Sequence, residues 1–139
     1  MNDPNENSYD PDAEEVKRHV LERRSKYHCA AIRAYVTRVG GPEAEEESSD
    51  WEEGLRLTLR LANRAAYLFS RRRVEWGDEY EPYVISAMEG LIGHYAFGKK
   101  DIESLSETLL LLADLTYEIA REDTEYAYEI WKKRKGESK

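Results

Sequence analysis

The chain has 139 residues and a mass of 16.2 kDa, which suits one domain and excludes a multidomain enzyme. Charged residues make up 36% of it and hydrophobic residues 40%, and no apolar run approaches the roughly 20 residues of a membrane span. Its single cysteine, Cys29, excludes an intramolecular disulfide. We therefore expect a soluble, cytoplasmic protein without a membrane partner. The absence of glutamine and the excess of Glu over Asp are typical of heat-adapted proteins.

The net charge of -8 conceals an alternation of sign along the sequence. The charge is -6 over residues 1–15, +6 over 16–40, -7 over 41–53, +6 over 54–74 and -7 over 75–139. Binding of a polyanion depends on the local field and not on the net charge. The basic segments are therefore candidates for a nucleic-acid surface, unless they neutralise the acidic segments within the fold.

Hydrophobic periodicity and helix-end signals predict an all-α bundle of four to five helices. The predicted helices cover residues 11–39, about 50–73, 81–98 and 102–135, and a break at Asp123-Thr124 would divide the last one. Residues 11–135 then form a single helical domain between an acidic tail at 1–10 and a C-terminal tail at 136–139.

The third predicted helix has almost no polar face, so we expect it to be the central helix. Its small residues Ser86, Gly90 and Gly93 share one side and would let another helix approach closely. Glu89 and His94 are the polar exceptions. A carboxylate on a mostly buried helix needs a partner, a metal ion or a raised pKa, which makes Glu89 a candidate site residue.

A stripe of arginines lies opposite the apolar face of the second predicted helix. Within an arc of about 80° fall Arg56, Arg60, Arg64, Tyr67 and Arg71. The helix ends in the cluster Arg71-Arg72-Arg73. Such a surface can follow a phosphate backbone, with the tyrosine available for base stacking. The alternative is pairing with acids of the 43–53 loop or of the last helix. We prefer pairing for Arg56, Arg60 and Arg64, and nucleic-acid binding for the Arg71-Arg72-Arg73 cluster.

Spacings typical of catalytic sites are missing from the sequence. It contains no glycine-rich phosphate loop, no cysteine pair and no Glu-x-x-His pair, and the three histidines His19, His28 and His94 are scattered.

Three segments carry a resemblance to a known family. Residues Ala113 to Arg121, ADLTYEIAR, resemble the A-D-L-T-x-E-(L/I)-x-R segment of the translin and translin-associated factor X family. In the same order, Ser25 to Tyr35 is similar to the family's S-K-x-x-I helix, and Tyr83 to Phe97 to the helix with its E-x-x-E-A motif. The family's members are all-helical, bind single-stranded nucleic acid and assemble into hollow octamers. The resemblance implies a translin-like bundle of reduced length.

The resemblance also implies a function. The first hypothesis is a subunit that binds single-stranded RNA or DNA, in a homo-oligomer or with a related helical subunit. The family's nucleases use two glutamates and the A-D-L-T aspartate to bind a divalent metal. By position these correspond to Glu89, Ile92 and Asp114. The alternative is an Mg²⁺-dependent endoribonuclease with Glu89 and Asp114 as catalytic residues and metal ligands, and Mg²⁺ is the one cofactor implied. A third hypothesis is a non-catalytic helical protein-protein adaptor.

Overall fold

The computed structural model describes residues 11–44 and 48–137, so the predicted acidic tail at 1–10 lies outside the described residues. Within these ranges the chain forms four α-helices and no strand, which confirms the all-α prediction. The helices are α1 (Pro11–Val39), α2 (Ser48–Trp76), α3 (Glu81–His94) and α4 (Ile102–Glu137). Short 3-10 helices at Pro42–Ala44, Asp78–Tyr80 and Lys99–Asp101 lie in the three connections.

Local sequence signals set most of the helix ends. Pro11 begins α1, where its missing N–H costs no helical hydrogen bond. Gly40 and Gly77 follow α1 and α2 with φ of 85° and 79°, a left-handed conformation that ends a helix and favours glycine. Before α4, the carboxylate of Asp101 accepts a hydrogen bond of 2.7 Å from the Gly98 backbone N–H.

Three predicted features of the helix boundaries are wrong. The second helix does not end at the Arg71-Arg72-Arg73 cluster but continues to Trp76. The third helix ends at His94 instead of residue 98, because Tyr95 is extended (φ -115°, ψ 137°) and half-exposed, so burial does not hold a further turn there. The last helix is continuous through Asp123 and Thr124 and runs to Glu137. Asp123 is fully compatible with this helix because its side chain is exposed and not in a core.

The bundle is built on an antiparallel pair of helices, α1 and α2. His19 Nδ1 lies 2.6 Å from Ser70 Oγ, and His28 Nε2 lies 2.6 Å from Asn63 Oδ1, so residue numbers rise along one helix as they fall along the other. The short helix α3 contacts all three other helices, as predicted for a central helix. The largest fully buried side chains are Tyr27, Leu61, Phe69, Tyr80, Val84, Met88, Ile92 and Leu109.

The small residues of α3 face an open groove. Ser86, Gly90 and Gly93 are exposed, and a Cβ atom added to either glycine would meet no atom within 4 Å. With Leu112 and Thr116 of α4, among others, Ser86 and Gly90 line a groove of about 540 Å³. The expected close approach of another helix is therefore wrong for the described part of this chain.

Only the first half of α4 packs against the bundle. Ile102, Ser106, Leu109 and Ala113 are buried, whereas every residue of 121–136 is exposed. At 1.5 Å per residue, this exposed half projects by about 24 Å. None of the described helices combines the length and the apolar character needed to span a bilayer.

Candidate functional site

The exposed face of α2 carries three arginines that bond to no acid in the described ranges. Arg56 and Arg60 form no ion pair or hydrogen bond there, so the pairing we preferred for them is absent from the described residues. Residues 45–47 of the acidic loop lie outside those residues. Arg71 donates a long hydrogen bond to the hydroxyl of Tyr67 (3.4 Å), and its guanidinium carbon lies 6.0 Å from the centre of that ring. Tyr67 itself is 39% exposed. We call Arg56, Arg60, Tyr67 and Arg71 the arginine ridge; it extends for about 22 Å along the helix.

The other three predicted binding arginines pair with acids. Their ion pairs are Arg64–Glu103 at 2.8 Å, Arg72–Asp114 at 3.0 Å and Arg73–Asp78 at 3.3 Å. The pairing predicted for the stripe with acids of the last helix is thus present at Arg64. It is also present at Arg72, which belongs to the cluster we preferred for nucleic-acid binding. Their guanidinium groups still add to the local field, but each already has an anionic partner.

A groove of about 580 Å³ between α1 and α2 lies beside Tyr67 and Arg71. Its lining consists of Asp12, Ala13, Val16, Lys17, Val20, Leu21, Tyr67 and Arg71. The set combines four aliphatic side chains and an aromatic ring with two cations and one carboxylate, that of Asp12. Apolar and aromatic surface suits the face of a nucleic-acid base, and the cations suit its phosphate. The sequence did not reveal this groove, because it depends on how α1 and α2 pack.

The buried carboxylate of α3 is Glu81 and not Glu89. Its Oε1 accepts hydrogen bonds from Arg23 (2.6 Å) and Lys26 (2.9 Å), and its Oε2 accepts one from Tyr27 (3.1 Å). Burial alone would raise the pKa of Glu81, but the hydrogen bonds and positive charges of Lys26 and Arg23 hold that pKa below its ordinary value. The network attaches α1 to the start of α3, and we assign it a structural role.

The three positions that correspond to the family's metal ligands, Glu89, Ile92 and Asp114, have different surroundings in the structure. Both carboxylate oxygens of Asp114 accept hydrogen bonds, Oδ1 from Tyr80 and Oδ2 from Arg72. Glu89 is half-buried, and Ile92 lies fully buried in the core. Across the described ranges no three His, Cys, Asp or Glu side chains are grouped to hold a metal ion. Each carboxylate oxygen of Asp114 is thus already engaged by one donor, and the positive charge of Arg72 lies where a metal ion would compete with it. The nuclease hypothesis stays a prediction.

A buried His–Ser pair joins α1 to α2 but is not set up as a nucleophile. Ser70 Oγ donates its hydrogen to the backbone oxygen of Ala66 (2.9 Å), so it has none left to donate to His19 Nδ1, which lies 2.6 Å away. A nucleophilic serine would instead donate to the histidine. Burial, followed by the charges of Arg73 and Arg23, lowers the pKa of His19, which keeps the imidazole neutral near neutral pH.

Comparison with known proteins does not assign a function to this site. No protein-family model matches the chain, and no significant match is found among curated proteins or solved structures. The three segments that resemble the translin family lie on α1, on α3 with the turn after it, and on α4. The resemblance to the translin family stays a prediction.

Proposed function

We propose that this protein binds single-stranded RNA or DNA along the arginine ridge of α2. The observation that carries the proposal is the exposure of Arg56, Arg60 and Arg71 without an acidic partner in the described ranges, although the chain as a whole carries -8. Cations gathered on one helix face raise the local potential there, and phosphate groups are the anions that such a track attracts.

Tyr67 favours a single strand over a duplex as the ligand. Its partly exposed ring stands between Arg60 and Arg71 on the ridge and beside the groove between α1 and α2. The bases of a single strand are free to stack on such a ring, whereas those of a duplex are already stacked. Each base–aromatic stack contributes about 1–3 kcal/mol. Contacts to phosphates and base faces do not involve the 2′-hydroxyl, so the proposal covers RNA and DNA.

The six predicted arginines are not equivalent in this proposal. Arg56, Arg60 and Arg71 contact the phosphates, while Arg64, Arg72 and Arg73 contribute mainly through their charge because each is held by a carboxylate. Lys17, on the other side of the groove lining, is the cation of α1 placed to contact the same strand.

Fluorescence anisotropy with a labelled oligouridine of about 12 nucleotides tests the proposal. We expect the triple variant R56A/R60A/R71A to bind roughly tenfold more weakly or worse than the wild type. The matched control is R121A/K132A/R134A, which removes the same charge from exposed positions on the projecting half of α4 and should bind within about twofold of the wild type. An equal loss in both variants would show that total charge, and not the ridge, governs binding.

A pair of tyrosine variants separates stacking from charge. Tyr67→Ala should weaken binding by roughly fivefold or more through loss of the ring, whereas Tyr67→Phe keeps the ring and should stay close to the wild type. A protein that binds no single strand at low salt would overturn the proposed function.

A further inference from the structure

A seam of apolar and polar side chains runs along α4 from its packed half into the projecting half, and the described chain leaves it exposed. Positions spaced alternately by four and three residues form it, namely Leu112, Thr116, Ile119, Asp123, Tyr126, Ile130 and Lys133. This is the a/d spacing of a two-stranded coiled coil. Ile119 is 64% and Tyr126 67% exposed, so large apolar side chains of this α4 seam face water.

The projecting half of α4 lacks the packing that stabilises most helices. Residues 121–136 are all exposed and gain nothing from packing in the bundle, whereas most helical stability in proteins comes from burial of an apolar face. Covering the α4 seam with a second helix would supply that burial.

The acidic and basic stretches of residues 118–135 would allow two copies of this segment to attract each other. Residues 118–129 contain five acids and one base, and residues 132–135 are four consecutive bases. Parallel pairing of two copies would place acids beside acids and bases beside bases. Antiparallel pairing brings the basic stretch of each copy to the acidic stretch of the other, which makes a second copy the partner that fits.

We propose that two copies of this chain associate antiparallel through the part of the α4 seam from Ile119 to Lys133, about a two-fold axis near Tyr128. In this register Tyr126 faces the partner's Ile130. Asp123 then faces the partner's Lys133, because both pairs are symmetric about the same position. The two charged members of this part of the seam thereby meet each other, and each contact occurs twice, as in any isologous dimer. The arginine ridge lies on α2, so this interface does not depend on nucleic-acid binding.

Charge exchange tests the pairing directly on the full chain. Sedimentation equilibrium should show a dimer for the wild type, weakened about tenfold or more in Asp123→Lys and in Lys133→Asp, since each substitution places like charges together twice. The double variant D123K/K133D recreates both opposite-charge pairs and should restore dimerisation to near the wild-type level. The control Glu118→Lys makes the same charge change at an exposed position off the α4 seam and should have little effect.

The three substitutions lie at exposed positions, so none of the four variants should unfold the bundle, which circular dichroism checks. A wild type that remains monomeric at high concentration overturns the proposal. Single variants that dimerise as well as the wild type overturn the register, and so does a double variant that fails to recover.

Discussion

Arg72 of α2 donates a hydrogen bond to the carboxylate of Asp114 on α4, with Nη2 and Oδ2 3.0 Å apart. Tyr80 donates to the other carboxylate oxygen. The sequence makes Arg72 a candidate for phosphate binding and Asp114 a candidate for metal binding. This contact engages the guanidinium group of Arg72, which phosphate binding would need, and the carboxylate of Asp114, which metal binding would need. The proposed interface therefore rests on Arg71, which has no acidic partner among the described residues.

Replacing Asp114 by Asn should separate a structural role of this carboxylate from a role in nucleic-acid binding. The variant loses an ion pair that is only partly exposed, so we expect the free energy of unfolding to fall by about 1–2 kcal/mol and the Tm by roughly 5 °C. Affinity for single-stranded RNA should be unchanged or higher, because Arg72 is released. Anisotropy and thermal melting measure both effects, and a clear loss of RNA affinity would contradict this assignment.

The Glu81 network predicts a larger loss of stability. Glu81→Gln removes the negative charge that Arg23 and Lys26 share, and should cost on the order of 3 kcal/mol, or about 10 °C in Tm. The matched control is Glu79→Gln, two residues earlier, where the side chain is exposed and the change should be within about 0.5 kcal/mol. Equal Tm values for the two variants would mean that the network contributes nothing measurable.

Stability should depend on pH through His19. Because its pKa is lowered in the folded protein, the unfolded chain takes up a proton first as the pH falls below 6.5, and folding stability declines from there. Glu81 acts in the same direction at lower pH: its pKa is lowered from 4.5, so its contribution is present above that value and is lost as the pH falls through the folded pKa. Tm measured between about pH 7 and pH 5 should fall in the wild type and fall less in His19→Gln.

Two glycines predict opposite responses to alanine. A Cβ at Gly90 meets no atom within 4 Å, so Gly90→Ala should stabilise α3 by about 0.5–1 kcal/mol through helix propensity. A Cβ at Gly54 would collide with the hydroxyl of Tyr35, so Gly54→Ala should destabilise by about 1–3 kcal/mol. Urea unfolding measures both, and a destabilising Gly90→Ala would show that the groove beside α3 is already filled.

Most of the fold was predictable because its signals are local. Pro11, Gly40 and Gly77 mark helix ends through their own backbone preferences, and the predicted range 11–39 agrees with α1. The continuity of α4 was not predictable, because Asp123 breaks an apolar face only if that face is buried. In the structure that face projects into solvent. Whether it is buried depends on the length of the neighbouring helices.

The candidate site was predictable only in part. Periodicity correctly placed Arg56, Arg60 and Arg71 on the exposed face of α2. It did not show that Arg72 meets Asp114, since that pair joins residues 42 positions apart. Glu81 was missed for the same reason: its position before a proline indicated a helix start, and its three partners lie on α1.

The salt dependence of binding tests the central claim most directly. Each phosphate contact to a single strand contributes about 0.7 to the slope of log affinity against log salt concentration. We predict a linear decline for the wild type, and a slope smaller by about 2 in R56A/R60A/R71A because three contacts are lost. Equal slopes for the wild type and this variant would contradict the claim that the arginine ridge binds the phosphate backbone.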